Sequence, residues 1–283
     1  MGGRIKIALL LAPALLVIGA LFAGGLISAF VQSLGYLPAI GQTEISLAAY
    51  REVLTGEDFL DSFLLTIYVA GASTVISTVL AVLAALALRR SGGRLSAVIF
   101  QLPITIPHLV AAAGIALVIS QTGLSARLAA ALGLIGEPKE FPALLYDRYS
   151  VGIILTYVWK EVPFVALVVL AALRGVAGEL EDVARTLGAS AWQRFWYVVF
   201  PVISPGVIAA SLIVFAFTFG AFEVPYLLGK TYPTILPVMA YNEYRDIELS
   251  ARPAAMAINV LIALITAVFA ALYLRLARDL GRG

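Results

Sequence analysis

Six apolar runs, each long enough to cross a bilayer, leave this chain few folds open to it. A helical crossing takes about 20 residues, and the runs lie at about 5–30, 63–88, 95–120, 151–173, 203–228 and 254–276. Inside lipid every backbone N–H and C=O must find its partner within the protein, which leaves helices and closed barrels. Runs this long and this uniformly apolar are helical rather than alternating, so the expected fold is an all-α polytopic membrane protein with six transmembrane helices. Only 13% of the residues are charged, against about a quarter in soluble domains. With no cysteine and one histidine there is neither a disulfide framework nor a thiolate or histidine cluster for a metal. A net charge of +2 gives no basis for nucleic-acid binding.

The first run follows Arg4 and Lys6, as a signal peptide would follow its basic start. It exceeds the roughly 7–15 apolar residues of such a peptide, and no small-residue cleavage site follows, so it is read as a retained helix. The third run holds Pro103, Pro107 and His108 and is expected to break near its start. Segments 121–150 and 229–252 lie outside the bilayer, the former with a short helix at 125–132. Segment 32–61 is acidic, holding Glu44, Glu52, Glu57, Asp58 and Asp61. Six crossings put both termini and the connections near Arg89 and Arg185 on one face. That face carries more Lys and Arg, which places it in the cytoplasm by the positive-inside tendency.

The connection after the fourth run is unlike the others. Leu180, Val183, Ala184 and Leu187 follow the i, i+3, i+4, i+7 stripe of an amphipathic helix, with Glu179, Glu181, Asp182, Arg185 and Thr186 opposite. Glu181 stands four residues before Arg185, the spacing of a supporting ion pair. Gly188 follows the stripe, where a left-handed helix cap favours glycine. Ser190 and Gln193 form a capping box for a second short helix with Trp192, Phe195, Trp196 and Val199 on its apolar side. Pro201 and Pro205 are expected to stop or kink that helix.

Asp182-Val183-Ala184, Gly188, and Val198-Val199-Phe200-Pro201 are similar to the EAA loop of ABC importer permeases. The family pattern runs E-A-A, three residues, G, nine residues, I-x-L-P; Gly188 and Pro201 match, and the other differences keep charge or apolar character. Over roughly residues 60–275 the chain resembles the permease subunit of a type I ABC importer. The resemblance implies a MetI-like core of the last five helices, with residues 1–60 an N-terminal helix and outer loop, 61–277 the core with its EAA loop at 175–201, and 278–283 a cytoplasmic tail. It implicates Glu181, Asp182, Ala184, Arg185, Gly188, Ala189, Ser190, Trp192, Arg194 and Pro201 in contact with a cytoplasmic ATPase. It also implies two ATPase subunits that bind ATP-Mg, a second permease chain, identical or paralogous, and an extracytoplasmic solute-binding protein. The chain itself is then a non-catalytic protein of the inner membrane without a cofactor. Its cargo would be a small polar solute such as a polyamine or a similar small organic or inorganic ion.

Lys160 and Glu161 fall in mid-membrane, where an ionisable side chain costs about 3 kcal/mol on insertion scales and marks a cavity or a partner. Neighbours on a helix point about 100° apart, so the two cannot share one partner. With His108, Tyr157, Phe219, Phe222 and Glu223 they are the candidates for a translocation path or gate, pairing with Glu223 being the structural alternative. An ion-coupled secondary transporter using Lys160, Glu161 and Glu223 is the competing function, but it leaves the amphipathic loop unexplained. Gly229-Lys230-Thr231 has the ending of a phosphate-binding loop, yet Val224 occupies the position of its first glycine, so the triplet reads as a helix exit.

Overall fold

A computed structural model describes residues 2–91, 94–173 and 178–280; the first part of the loop, 174–177, and the end of the expected tail, 281–283, lie outside them. Every named element is helical. In chain order the α-helices are α1 (Gly2–Ser33), α2 (Ala48–Thr55), α3 (Glu57–Ser91), α4 (Arg94–Thr105), α5 (His108–Ile119), α6 (Leu124–Ala131), α7 (Val151–Ala172), α8 (Gly178–Thr186), α9 (Ala191–Arg194), α10 (Phe200–Gly220), α11 (Glu223–Leu228), α12 (Leu236–Tyr244) and α13 (Arg252–Leu280). Among the described residues six helical stretches are long and apolar enough to cross a membrane. The third and fifth runs are the broken ones: α4 gives way to α5 at Ile106-Pro107, and α10 to α11 at Ala221-Phe222. Both breaks fall where proline or glycine interrupts the apolar pattern.

The contacts group the chain into two units that do not follow chain order. One comprises residues 1–60 and 236–264. In it Ser33 Oγ and Tyr50 Oη meet at 2.7 Å, tying the end of α1 to α2, and the Arg252 guanidinium lies 5.1 Å above the Tyr244 ring. No residue in the apolar window of α1 is buried, as suits a helix surrounded by lipid. Burial, and then the Asp246, Glu52 and Asp58 carboxylates, push the Glu243 carboxyl above its usual range.

The other unit comprises residues 61–235 and 265–283. Small residues line the buried side of α3, including Ala70, Ser73, Ser77, Ala81 and Ala85, and such side chains let helix backbones approach closely in lipid. Ala81 and Ala85 share one core with Val165, Ala166 and Val169 of α7 and Ile203, Ala210 and Val214 of α10. Thr78 and Ser211 hydroxyls, 2.9 Å apart, link α3 to α10. A second core joins Val69, Ala112, Ile153, Tyr157, Val224 and Leu228. Gly229 closes α11 beside it: a Cβ there would sit 2.4 Å from the Pro225 carbonyl oxygen. Gly229→Ala is therefore expected to lower stability by about 1–3 kcal/mol through forced backbone shift, read as a reduced Tm of the detergent-solubilised protein.

Candidate functional site

The loop folds as two helices around Gly188, but α8 is turned the opposite way from an ordinary amphipathic helix. Its apolar Leu180, Val183 and Leu187 are exposed, Leu187 by 82%, whereas Glu181 is only 8% exposed. The expected Glu181–Arg185 pair does not form. Arg185 instead reaches Asp182 at 3.4 Å on the surface, and Glu181 points inward to Arg89 at the end of α3. Arg89 Nη1 donates to Glu181 Oε2 at 2.8 Å and Nη2 to Oε1 at 3.3 Å. Arg194 Nε lies 3.5 Å from the same carboxylate, while its Nη1 donates to the Ala189 carbonyl at 2.7 Å. A fork-to-fork pair with a second guanidinium alongside outweighs the i, i+4 pair because geometry and partial burial both strengthen it. Burial pushes the Glu181 carboxyl up, but the hydrogen bonds and charges of Arg89 and Arg194 more than offset this and hold it below its usual range. Leu86, Ala87, Phe195 and Val199 complete the walls of a recess of about 390 Å³ at this network.

Gly188 takes φ +83°, the left-handed conformation its position demands. Around it Gly188 N–H donates to Arg185 O and Ala189 N–H to Ala184 O, each at 3.0 Å. Those two bonds are a complete Schellman cap. The capping box also forms: Ser190 N–H donates to Gln193 Oε1 at 2.8 Å and Gln193 N–H to Ser190 Oγ at 3.3 Å. Trp192 stands 70% exposed on the same stretch, its ring 5.5 Å from that of Trp196.

Pro201 and Pro205 do not stop this second helix. From Ala191 the chain stays helical to Gly220, passing through a π-turn at Phe195–Val199. The wide turn lets Phe200 N–H donate to Phe195 O, and Pro201 enters at the head of α10, where the missing N–H is tolerated. The loop's second helix is thus unbroken with a membrane helix.

The mid-membrane residues also separate. Lys160 is 4% exposed; its Nζ donates to Pro103 O at 2.5 Å, to Ile104 O at 3.4 Å and to Ile106 O. Glu161 instead meets His108, Oε1 to Nε2 at 3.1 Å. Neither takes the alternative partner, Glu223. The His108 ring lies 4.7 Å from Phe217 of α10 and 6.4 Å from Tyr157. Tyr157 is fully buried. Phe219 is buried against Phe215 and Phe269, at 5.8 and 6.4 Å. The Phe222 and Tyr226 rings meet at 4.9 Å, tilted by 31°, and Glu223 opens α11 as an exposed carboxylate at its positive end.

Residues 77–282 match the family described as the binding-protein-dependent transport system inner membrane component. This chain belongs to that family of ABC importer permeases. Similar proteins include the molybdenum transport system permease ModB of Mycobacterium tuberculosis, 28% identical over 210 residues, covering 73% of this permease and 75% of ModB. The Escherichia coli inner membrane ABC transporter permease YdcU is 31% identical over 200 residues, covering 66% and 62% of the two chains. The sulfate transport system permease CysW of Synechocystis is 28% identical over 228 residues, covering 77% and 78%. Among solved structures, a bacterial ABC transporter that imports the acidic polysaccharide alginate has a chain superposing with a TM-score of 0.79, at 21% identity and 98% coverage of each chain.

Two features of the permease were hidden in its sequence. Arg89 lies 92 residues before Glu181, and nothing in the local pattern distinguishes Glu181 from Glu179 or Asp182. Phe217 reads as one more apolar residue of its run. The pair of arginines ending the second run is the available signal for the first, since cations at a buried helix end require a partner.

Proposed function

We propose that the permease forms part of the translocation path of an ATP-driven importer and receives the stroke of a cytoplasmic ATPase through α8 and α9. One observation carries this reading: Leu180, Val183, Leu187 and Trp192 are exposed on a loop that is fastened underneath by the Arg89–Glu181–Arg194 network. An apolar stripe turned to solvent on an otherwise anchored helix fits a surface that a partner covers. The continuous helix from Ala191 to Gly220 supports transmission, because a push on Trp192 is then a push on α10. ATP closing its own subunits can drive transport only if the loop's grip differs between the two conformations.

The assembly we propose has two ATPase subunits that hold ATP-Mg, a second permease chain and an extracytoplasmic solute-binding protein, with the loop and both termini in the cytoplasm. The cargo is a small polar solute delivered by that binding protein. The relatives' names specify molybdenum and sulfate and lend no support to a polyamine cargo.

The test is co-purification of the permease, expressed together with its cognate ATPase. The wild type is expected to retain the ATPase. Trp192→Glu should lower retention by at least tenfold, a loss of about 1.4 kcal/mol or more and within the range of an interface hot spot. Full retention by Trp192→Glu and by Leu187→Glu would remove the docking surface proposed here.

A further inference from the structure

The α4–α5 break is braced from one point on α7, by two consecutive residues acting on opposite ends. Pro107 has no N–H for the Pro103 carbonyl, which Ile106 N–H reaches only at 3.3 Å, and the Lys160 ammonium takes the carbonyls of Pro103 and Ile104 in α4 and of Ile106 in the break. A cation is the favourable charge at a helix C-terminus. Helix α5 begins at His108, and there the neighbouring residue, Glu161, supplies the anion at 3.1 Å. Adjacent positions on α7 diverge by about 100°, which is what lets one grip α4 and the other α5. The two attachments are unequal. Lys160 is buried with three oxygen partners, while His108 keeps 27% of its side chain exposed and Glu161 holds it through one contact. Against that same imidazole leans Phe217 of α10, centroid to centroid 4.7 Å.

We infer that Lys160 and Glu161 are positioning residues that make α7 the fixed post of a gate hinge at Ile106-Pro107. Lys160 keeps α4 in place, and the His108–Glu161 contact is the releasable side, moved when α10 shifts Phe217 against His108. The inference rests on the proposed coupling route, since α10 is the helix continuous with α9. It adds where the stroke ends: at the first turn of α5.

The chain has no cysteine, so a spin-label pair at Leu102→Cys and Leu117→Cys, both exposed and flanking the break, reads the hinge with no competing label on this chain, the partner subunits being used in cysteine-free form. In nanodiscs holding the whole transporter, the wild-type distance is expected to differ between nucleotide-free and ATP-trapped states. In Lys160→Met that difference should collapse into one broad distribution, and the ratio of binding-protein-stimulated to basal ATPase should fall at least about fivefold. Lys160→Arg, which keeps a charged donor, should recover most of the ratio. Glu161→Gln, which still accepts a hydrogen bond, should loosen only the α5 side and raise basal ATPase. An unchanged distance shift together with an unchanged ratio in both Lys160→Met and Glu161→Gln would overturn the hinge. So would a wild-type distance indifferent to nucleotide while uptake proceeds. Retention of the ATPase is scored separately by co-purification, so the coupling reading and the hinge fail on different measurements.

Discussion

Gly188→Val is expected to abolish ATP-driven uptake while leaving the permease inserted and folded. The residue occupies φ +83° with open space around its Cα, so a side chain meets no atom there. What it meets is its own backbone. A non-glycine residue in the left-handed region costs about 1–2 kcal/mol, more when β-branched. The loop can relieve this only by giving up the two Schellman bonds, from Gly188 to Arg185 and from Ala189 to Ala184. Either way α8 and α9 lose their set angle, and the docking surface proposed for Leu187 and Trp192 is disrupted. The spans are not involved, so surface expression and Tm should change little. Gly188→Asn supplies the control, because asparagine tolerates the left-handed conformation, and it should keep most of the uptake. If asparagine and valine prove equally inactive, the bare surface at 188 matters rather than its dihedral, and the cap argument is wrong.

Glu181→Ala should have the next largest effect. It strands Arg89 and Arg194 beside each other in a recess walled by Leu86, Ala87, Phe195 and Val199. Removing one partner of a largely buried pair costs about 3 kcal/mol, chiefly because the remaining charge is left uncompensated. We expect α8 to detach from α3, the ATPase to be held at least tenfold more weakly, and Arg89→Met in the same chain to restore part of the loss. Asp182→Ala, at an exposed ion pair 3.4 Å long, should alter stability by less than about 1 kcal/mol. Comparable destabilisation by the two single variants would show that the inward network is not what fastens the loop. The pH dependence has a definite sign. The Glu181 carboxyl is held below its usual range when folded, so its contribution is fully present above about pH 5 and drains away as pH falls through the depressed value. Loop attachment, read by protease protection of the region around Gly188, should therefore be flat from pH 6 to 8 and weaken as pH falls below about 5.

Much of this could be read from the chain alone, because it depends on periodicity and on residues with unusual backbones. Twenty-odd apolar residues force a membrane helix whatever surrounds them. Gly188 and the Ser190–Gln193 box act within four residues of themselves, so their geometry follows from local sequence. Pro107 and the Gly220–Pro225 neighbourhood likewise break their helices in place. The orientation of α8 was decided elsewhere. Its stripe predicts which side chains share a face, but not whether that face turns toward the protein; Arg89, at the far end of another helix, turned Glu181 inward and left Leu180 and Leu187 exposed. Pro201 misleads for a related reason, since a π-turn ending two residues earlier absorbs what the proline removes. Nor could the divergence of Lys160 and Glu161 name their partners, which the packing of α4 and α5 against α7 supplied. Short-range stereochemistry is written into single residues, whereas the partner of a buried charge is set by whichever helix the fold brings alongside it.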